Sequence, residues 1–186
     1  MVQDLCFHIF DLVQNSVAAG AGLVSVNIRD SLFRDLLELE LSDNGRGMDR
    51  ETVLRVQDPF YTTKSGKKVG LGVPLLKQTA LHCDGSFVIE SIPGQGTIVK
   101  ATFRRLHLDL PPMGNLVDTV HALITTLDGV DLIFSYQNDI GSFALDTREL
   151  RQHAGALHLS HPDVSAFLQA YLQEQLGGLL RGREPG

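Results

Sequence analysis

Asp11 and Asn15 stand four residues apart, and Asp4 and His8 continue the same stripe at steps of four and three. On a helix such residues share one side. An asparagine amide oxygen can offer a hard cation a neutral oxygen ligand. A carboxylate one turn earlier can hold or deprotonate a water. A solvated helix face has the same pattern, so the stripe alone leaves the choice open. Asp43-Asn44-Gly45-Arg46-Gly47-Met48 places a carboxylate after a strand and ahead of two turn glycines. Those glycines let backbone approach closely where any Cβ would intrude. Further on, Asp58-Pro59-Phe60-Tyr61-Thr62-Thr63-Lys64 leads through Lys67 and Lys68 to Gly70-Leu71-Gly72. Glycines opening a helix leave free N–H groups for an anion, and Lys64, Lys67 and Lys68 add positive charge, although solvent-facing loop lysines are an equal reading of the last two. Pro93-Gly94-Gln95-Gly96 then turns the chain ahead of Thr97.

The elements that must position these residues can be read from periodicity. Val2, Leu5, Cys6, Ile9, Val13 and Val17 recur at helical spacing, predicting a helix from Val2 to Ala19 with Gly20 as a left-handed stop. Leu23–Arg29 and Leu36–Leu41 alternate as strands. Asp49–Val56 reads as a short capped helix, residues 58–72 as a loop, and Leu71–Cys83 as a helix with Pro74 in its first turn, where a missing N–H costs little. Phe87–Ser91 and Thr97–Phe103 form a hairpin by spacing. Pro111-Pro112 marks a boundary. Beyond it come a helix at 116–127, strands Val130–Tyr136 and Ser142–Leu145, and an amphipathic helix from Pro162 to Leu176, with a frayed tail from Gly177. The stripe Val164, Phe167, Leu168, Tyr171, Leu172 and Leu176 reads as core first; a partner surface or a homodimer face stays open. His153, His158 and His161 match no metal spacing.

With 186 residues and a net charge of −6, the chain has no general affinity for nucleic acid or an anionic membrane. No apolar run is long enough to span a bilayer. Cys6 and Cys83 read as buried thiols of a reducing, cytoplasmic setting. A Walker-type Gly-x-x-x-x-Gly-Lys-Ser/Thr run is absent, so the phosphate site is not a P-loop.

Taken in order, the four stretches resemble the N box, G1 box, F box with G2 box, and G3 turn of the GHKL (Bergerat-fold) ATPases, over roughly residues 4–105. The resemblance implies an α/β two-layer sandwich at residues 1–106, with a small α+β C-terminal unit at 107–186. It implies that ATP and Mg2+ bind. Asn15 would be the metal ligand and Asp11 the catalytic base. Asp43 would accept from the adenine amine, with Gly45, Gly47, Met48 and Thr97 around the base, and Lys64, Gly70, Leu71 and Gly72 would meet the phosphates. The sequence departs from the pattern at Asp11, where gyrase-like and mismatch-repair members carry a longer glutamate. The loop between Lys64 and Gly70 is also short, and Val69 replaces a common threonine.

The chain opens inside the N-box helix, so the resemblance implies no phospho-acceptor hairpin ahead of it. Two kinds of function follow. One is a stand-alone regulatory kinase or ATPase acting on a partner protein that carries the phospho-acceptor. The other is a module whose state with ATP or ADP controls docking of a partner, with little or no turnover.

Overall fold

The computed structural model describes residues 4–59, 72–127, 129–154 and 158–181. Helix α1 spans Leu5–Ala18, with Asp4 as its N-cap accepting from the Phe7 N–H. Two further first-turn donors, the Leu5 and Cys6 N–H groups, reach the carbonyls of Pro112 and Met113. The double-proline segment therefore satisfies orphan donors at the start of α1. At the other end the chain turns through Gly20, at φ 75°.

Strands β1 (Leu23–Ser31) and β2 (Leu36–Asp43) follow as an antiparallel pair. Helix α2 (Arg50–Arg55) is capped by Asp49, which accepts from the Thr52 N–H. Helix α3 covers Gly72–His82 and carries Pro74 in its first turn, as the sequence predicts. Strands β3 (Phe87–Ile92) and β4 (Gly96–Arg104) close a hairpin, and β4 also pairs with β2.

Helix α4 (Leu116–Thr126), strands β5 (Asp131–Asn138) and β6 (Ser142–Asp146), and helices α5 (Thr147–Ala154) and α6 (Pro162–Arg181) complete the chain. The sheet order is β3-β4-β2-β1-β5-β6. β1 and β5 pair in parallel, and the other neighbours are antiparallel. The segment from 107 onward thus widens the sheet by two strands and shares its core.

Period-two alternation makes this a two-layer structure. Val24, Val26 and Ile28 of β1, Leu37, Leu39 and Leu41 of β2, and Leu132, Phe134 and Tyr136 of β5 are all buried. The opposite face carries polar cross-strand pairs: Lys100 with Glu40 at 3.0 Å, and the Ser135 hydroxyl donating to Asn27 at 2.6 Å. Polar residues predominate on this outer face, with Val88, Ile92 and Ile98 exposed among them on β3 and β4, as in an antiparallel sheet with one solvated face.

Two expectations need correction. The tail from Gly177 is helical to Arg181, because Gly177 is buried and the Leu179 carbonyl accepts from the Asn138 amide. Helix α5 was not expected; it has few apolar residues, so it lacks the stripe that marks a helix. The stripe of α6 is core at Leu168, Leu172 and Leu176, whereas Phe167 is 66% exposed and stacks on Tyr171. No helix among the described residues is long and apolar enough to cross a membrane. Cys6 and Cys83 are both buried and are not joined in a disulfide.

Candidate functional site

A cleft of about 570 Å³ opens between α1, the end of β2, α2 and the β3–β4 hairpin. Its inner wall is apolar, with Leu12, Leu41, Ile89 and Val99 among the lining residues. Strand register sets its polar end: Asp43, the last residue of β2, lies opposite Thr97 of β4. The Asp43 carboxylate is held twice. Its Oδ1 accepts from the Gly45 N–H at 2.8 Å, and its Oδ2 lies 2.7 Å from the Ser16 hydroxyl of α1. An ionised carboxylate is acceptor-only and has four lone-pair sites. Two contacts orient it and still leave acceptor capacity toward the cleft.

Thr97 is placed by Ser91. The Ser91 hydroxyl accepts from the Met48 N–H at 2.8 Å, lies 2.8 Å from the Gly96 carbonyl, and is 2.9 Å from the Thr97 hydroxyl. With the Ser91 proton on the Gly96 carbonyl, the Thr97 hydroxyl donates to Ser91 and keeps its lone pairs for a donor in the cleft.

The glycine-rich loop packs against the protein itself. A Cβ on Gly47, at φ 63°, would come within 2.0 Å of the Ile92 carbonyl oxygen. On Gly45 it would meet Ala19 and the Asp43 carboxylate at 3.0 Å. The close approach read from these glycines is therefore to the hairpin and to α1, and these contacts exist before any base does. The Gly94 N–H donates to the Arg46 carbonyl at 2.7 Å, and the Arg46 N–H to the Ala19 carbonyl at 2.9 Å, so loop, hairpin and helix form one frame. Asn44 adds two further ties by accepting from the Gly22 and Leu23 N–H groups.

The polar stripe of α1 is not a solvated face. Asn15 lines the cleft, and its side-chain amide makes no hydrogen bond to the described residues. His8 is 1% exposed, and burial pushes its pKa below the usual imidazole value, against the opposing pull of Asp11 and Asp4. Asp11 lies outside the cleft lining and packs against the start of α3, where a Cβ on Gly72 would fall 1.7 Å from its Oδ2.

Of the residues singled out in the sequence, Asn15, Asp43, Gly47, Met48 and Thr97 come together around the cleft. Gly45 sits behind them, and Asp11 and Gly72 touch each other at its margin. Lys64, Gly70 and Leu71 lie outside the described residues. Sequence reasoning did not single out Ser16, Ser91 or the apolar wall. Ser16 follows Asn15 directly, but its partner is 27 residues away, and no local pattern signals such a pair.

The cleft has the size of small-molecule sites, and its donor set fits a nucleotide with its metal. A carboxylate and a hydroxyl stand side by side at an apolar slot, and a neutral amide oxygen lies on the adjoining helix. No group of three or more metal-ligating side chains occurs among the described residues. Mg2+ is usually held by few protein ligands together with phosphates and waters, and the Asn15 amide oxygen is of the type that could serve as one.

Comparison with known proteins agrees. Residues 2–107 match the family model described as histidine kinase-, DNA gyrase B-, and HSP90-like ATPase. The chain is 33% identical over 105 residues to the sensor histidine kinase YxdK of Bacillus subtilis, covering 53% of this chain and 32% of that protein. It is 36% identical over 89 residues to the sensor protein kinase FleS of Pseudomonas aeruginosa, covering 48% and 22%. A weaker similarity of 25% over 163 residues to the sensor kinase CckA of Brucella abortus covers 85% of this chain and 17% of that one. The matches thus span a third or less of these relatives' length. Among solved structures, the N-terminal domain of a DNA repair protein superposes with a TM-score of 0.57 at 15% identity, over 84% of this chain and 58% of that one. With box order, sheet topology and family model in agreement, the chain belongs to the histidine kinase-, DNA gyrase B- and HSP90-like ATPase family.

Proposed function

We propose that this chain binds Mg·ATP in the cleft and transfers or releases the γ-phosphoryl group as a regulatory kinase or ATPase acting on a separate partner protein. The observation that carries the reading is the doubly held Asp43 carboxylate beside Thr97 at the polar end of an apolar-walled cleft that Asn15 also lines. A fixed carboxylate accepts from the exocyclic amine of adenine and repels the carbonyl of guanine. Asn15 would hold Mg2+, which when bound neutralises phosphate charge. The two buried cysteines, not joined in a disulfide, fit a cytoplasmic setting. A protein partner as phospho-acceptor fits the sensor kinases among the relatives.

One observation favours a second reading, a nucleotide-gated docking module with little turnover. Asp11 points its short side chain at Gly72 rather than lining the cleft. Titration with Mg·ATP and with a non-hydrolysable analogue, followed by phosphate release and by phosphoryl transfer to co-purifying proteins, separates the two. Turnover supports the kinase or ATPase reading. Tight binding of both ligands without release supports the module, and indifference to adenine nucleotides sinks both.

A further inference from the structure

A second hollow, of about 370 Å³, lies on the helical layer between α1 and α4 and shares no lining residue with the nucleotide cleft. Phe7 and Phe10, one turn apart on α1, form one side, and Thr119 and Ala122 of α4 form the other. Both rings stand largely in water, Phe7 being 47% exposed and Phe10 39%. Two aromatic rings on one helix face, beside small residues on the next helix, make a groove, not a scatter of single exposed side chains. Its frame is fixed at one end. The Leu5 and Cys6 N–H groups tie the start of α1 to the Pro112 and Met113 carbonyls, just ahead of α4. Asn115 then caps α4 by accepting from the Asp118 N–H. A groove so held is preorganised for whatever enters it.

Charge around the groove is of one sign. Asp4 and Asp118 lie at its rim. Asp4 accepts from the Phe7 N–H, and Asp118 from the side-chain amides of Asn115 and Gln169. These neutral donors orient the carboxylates without cancelling their charge. The helices supply no cation to offset them: α1 and α4 hold no Lys or Arg, and α6 holds none before its last residue, Arg181. Asp11, Asp163 and Glu174 add further acid to the same three helices. Such a surface repels phosphate backbones and anionic lipid. It also disfavours a second copy of this chain, because a two-fold contact would set Asp4 and Asp118 against the same acids. What complements it is a helix with apolar side chains at i, i+3, i+4 and i+7 and Lys or Arg flanking them.

We propose that the α1–α4 groove docks a basic amphipathic helix of a separate protein. Its apolar anchors pack between the two phenylalanine rings and Ala122, and its cationic flanks face Asp4 and Asp118. The inference rests on the proposed function for the existence of a partner, and adds where that partner sits and what chemistry it presents. Phe7, Phe10 and Asn15 share one helix, so the docked segment lies against the element that forms one wall of the nucleotide cleft.

The test is an anisotropy titration of the full chain with a labelled peptide of about 15 residues, long enough to form a helix. It carries leucine at i, i+3, i+4 and i+7 and lysine elsewhere; a second peptide has glutamate in place of lysine. Phe10→Ser removes a ring, Ala122→Lys places a cation in the groove, and Val88→Ser removes a comparably exposed apolar side chain from β3. Wild type and Val88→Ser should bind the lysine peptide alike, and more weakly as salt rises. Phe10→Ser and Ala122→Lys should each lose about tenfold or more in affinity, and the glutamate peptide should not bind. Affinities within about twofold of wild type in both groove variants, or equal binding of the two peptides, overturn the proposal. So does a wild-type chain that sediments as a dimer and becomes monomeric in Phe10→Ser, which assigns the groove to a second copy. Ala122→Lys decides the matter if Phe10→Ser does not fold. A fluorescent ATP analogue titrated into the same samples keeps the two sites apart. Peptide binding without nucleotide binding supports the groove and overturns the nucleotide site; nucleotide binding without peptide binding overturns the groove alone.

Discussion

Asp43→Asn isolates the proposed base-reading contact from the fold. In the structure Oδ1 accepts from the Gly45 N–H and Oδ2 faces the Ser16 hydroxyl. An asparagine can keep its oxygen on Gly45 and turn its NH2 toward Ser16, whose proton then goes to the Leu12 carbonyl at 3.3 Å. Both internal contacts survive, so the stability loss should stay near ~1 kcal/mol, or about 2–4 °C in Tm for a chain of this size. The ligand contact does not survive, because an NH2 group now faces the adenine amine. A hydrogen bond to a charged acceptor contributes about 1.5–3 kcal/mol, which corresponds to roughly 10- to 150-fold in Kd. Calorimetric titration of both proteins with Mg·ATP and Mg·GTP, beside thermal melts, measures each part. The expected result is a folded variant with ATP affinity reduced at least tenfold and the preference over GTP collapsed. A folded Asp43→Asn that binds Mg·ATP within about threefold of wild type would refute the assignment of Asp43 as the base reader.

Further perturbations address the frame and the metal side. Gly47→Ala drives a Cβ into the Ile92 carbonyl and strains a left-handed backbone, so urea unfolding should show a loss of about 2 kcal/mol or more; Gly94→Ala, also left-handed but with open space around its Cβ, should lose about 1–2 kcal/mol. Arg105→Met leaves the buried Asp30 carboxylate of β1 without its guanidinium, and breaking such a pair should cost on the order of 3–5 kcal/mol in chemical denaturation. His8 has a folded pKa below its unfolded value, so the unfolded chain binds the extra proton first. Its contribution to stability is then complete above about pH 6.5 and is lost as pH falls from there through the folded pKa, a slope that His8→Leu should remove from a pH series of denaturant midpoints. Asn15→Ala should leave the melt unchanged and weaken ATP binding in Mg2+ far more than in EDTA, as read by a fluorescent analogue.

How much of this was legible in the sequence depended on whether the signal was local. The strands were, because alternation such as Leu37, Leu39, Leu41 against Glu38 and Glu40 records one buried face. The caps at Asp4 and Asp49 and the turn at Gly20 were also local, each set within a few residues. Helix α5 was not, since its placement depends on tertiary ties such as the Thr147 hydroxyl accepting from the Leu132 N–H and Arg151 pairing with Asp131. The polar stripe on α1 was visible, but its environment was not. Periodicity says that Asp4, His8, Asp11 and Asn15 share a side, and cannot say whether water, a cleft or another helix lies beyond it.

By itself, the sequence determined the family, the order of the four boxes and the residue types available at the site, because these are properties of short segments and their spacing. Tertiary structure decided which of those residues meet. It set Ser16 on Asp43 and Ser91 on Thr97 across strands and helices distant in the chain. It also gave Gly47 to the Ile92 carbonyl, turned Asp11 toward Gly72, and closed β5 onto β1 in parallel. Each of these outcomes depends on contacts between segments far apart in sequence, and such contacts are settled when the sheet and helices pack around a common core, not by the propensities of any one stretch.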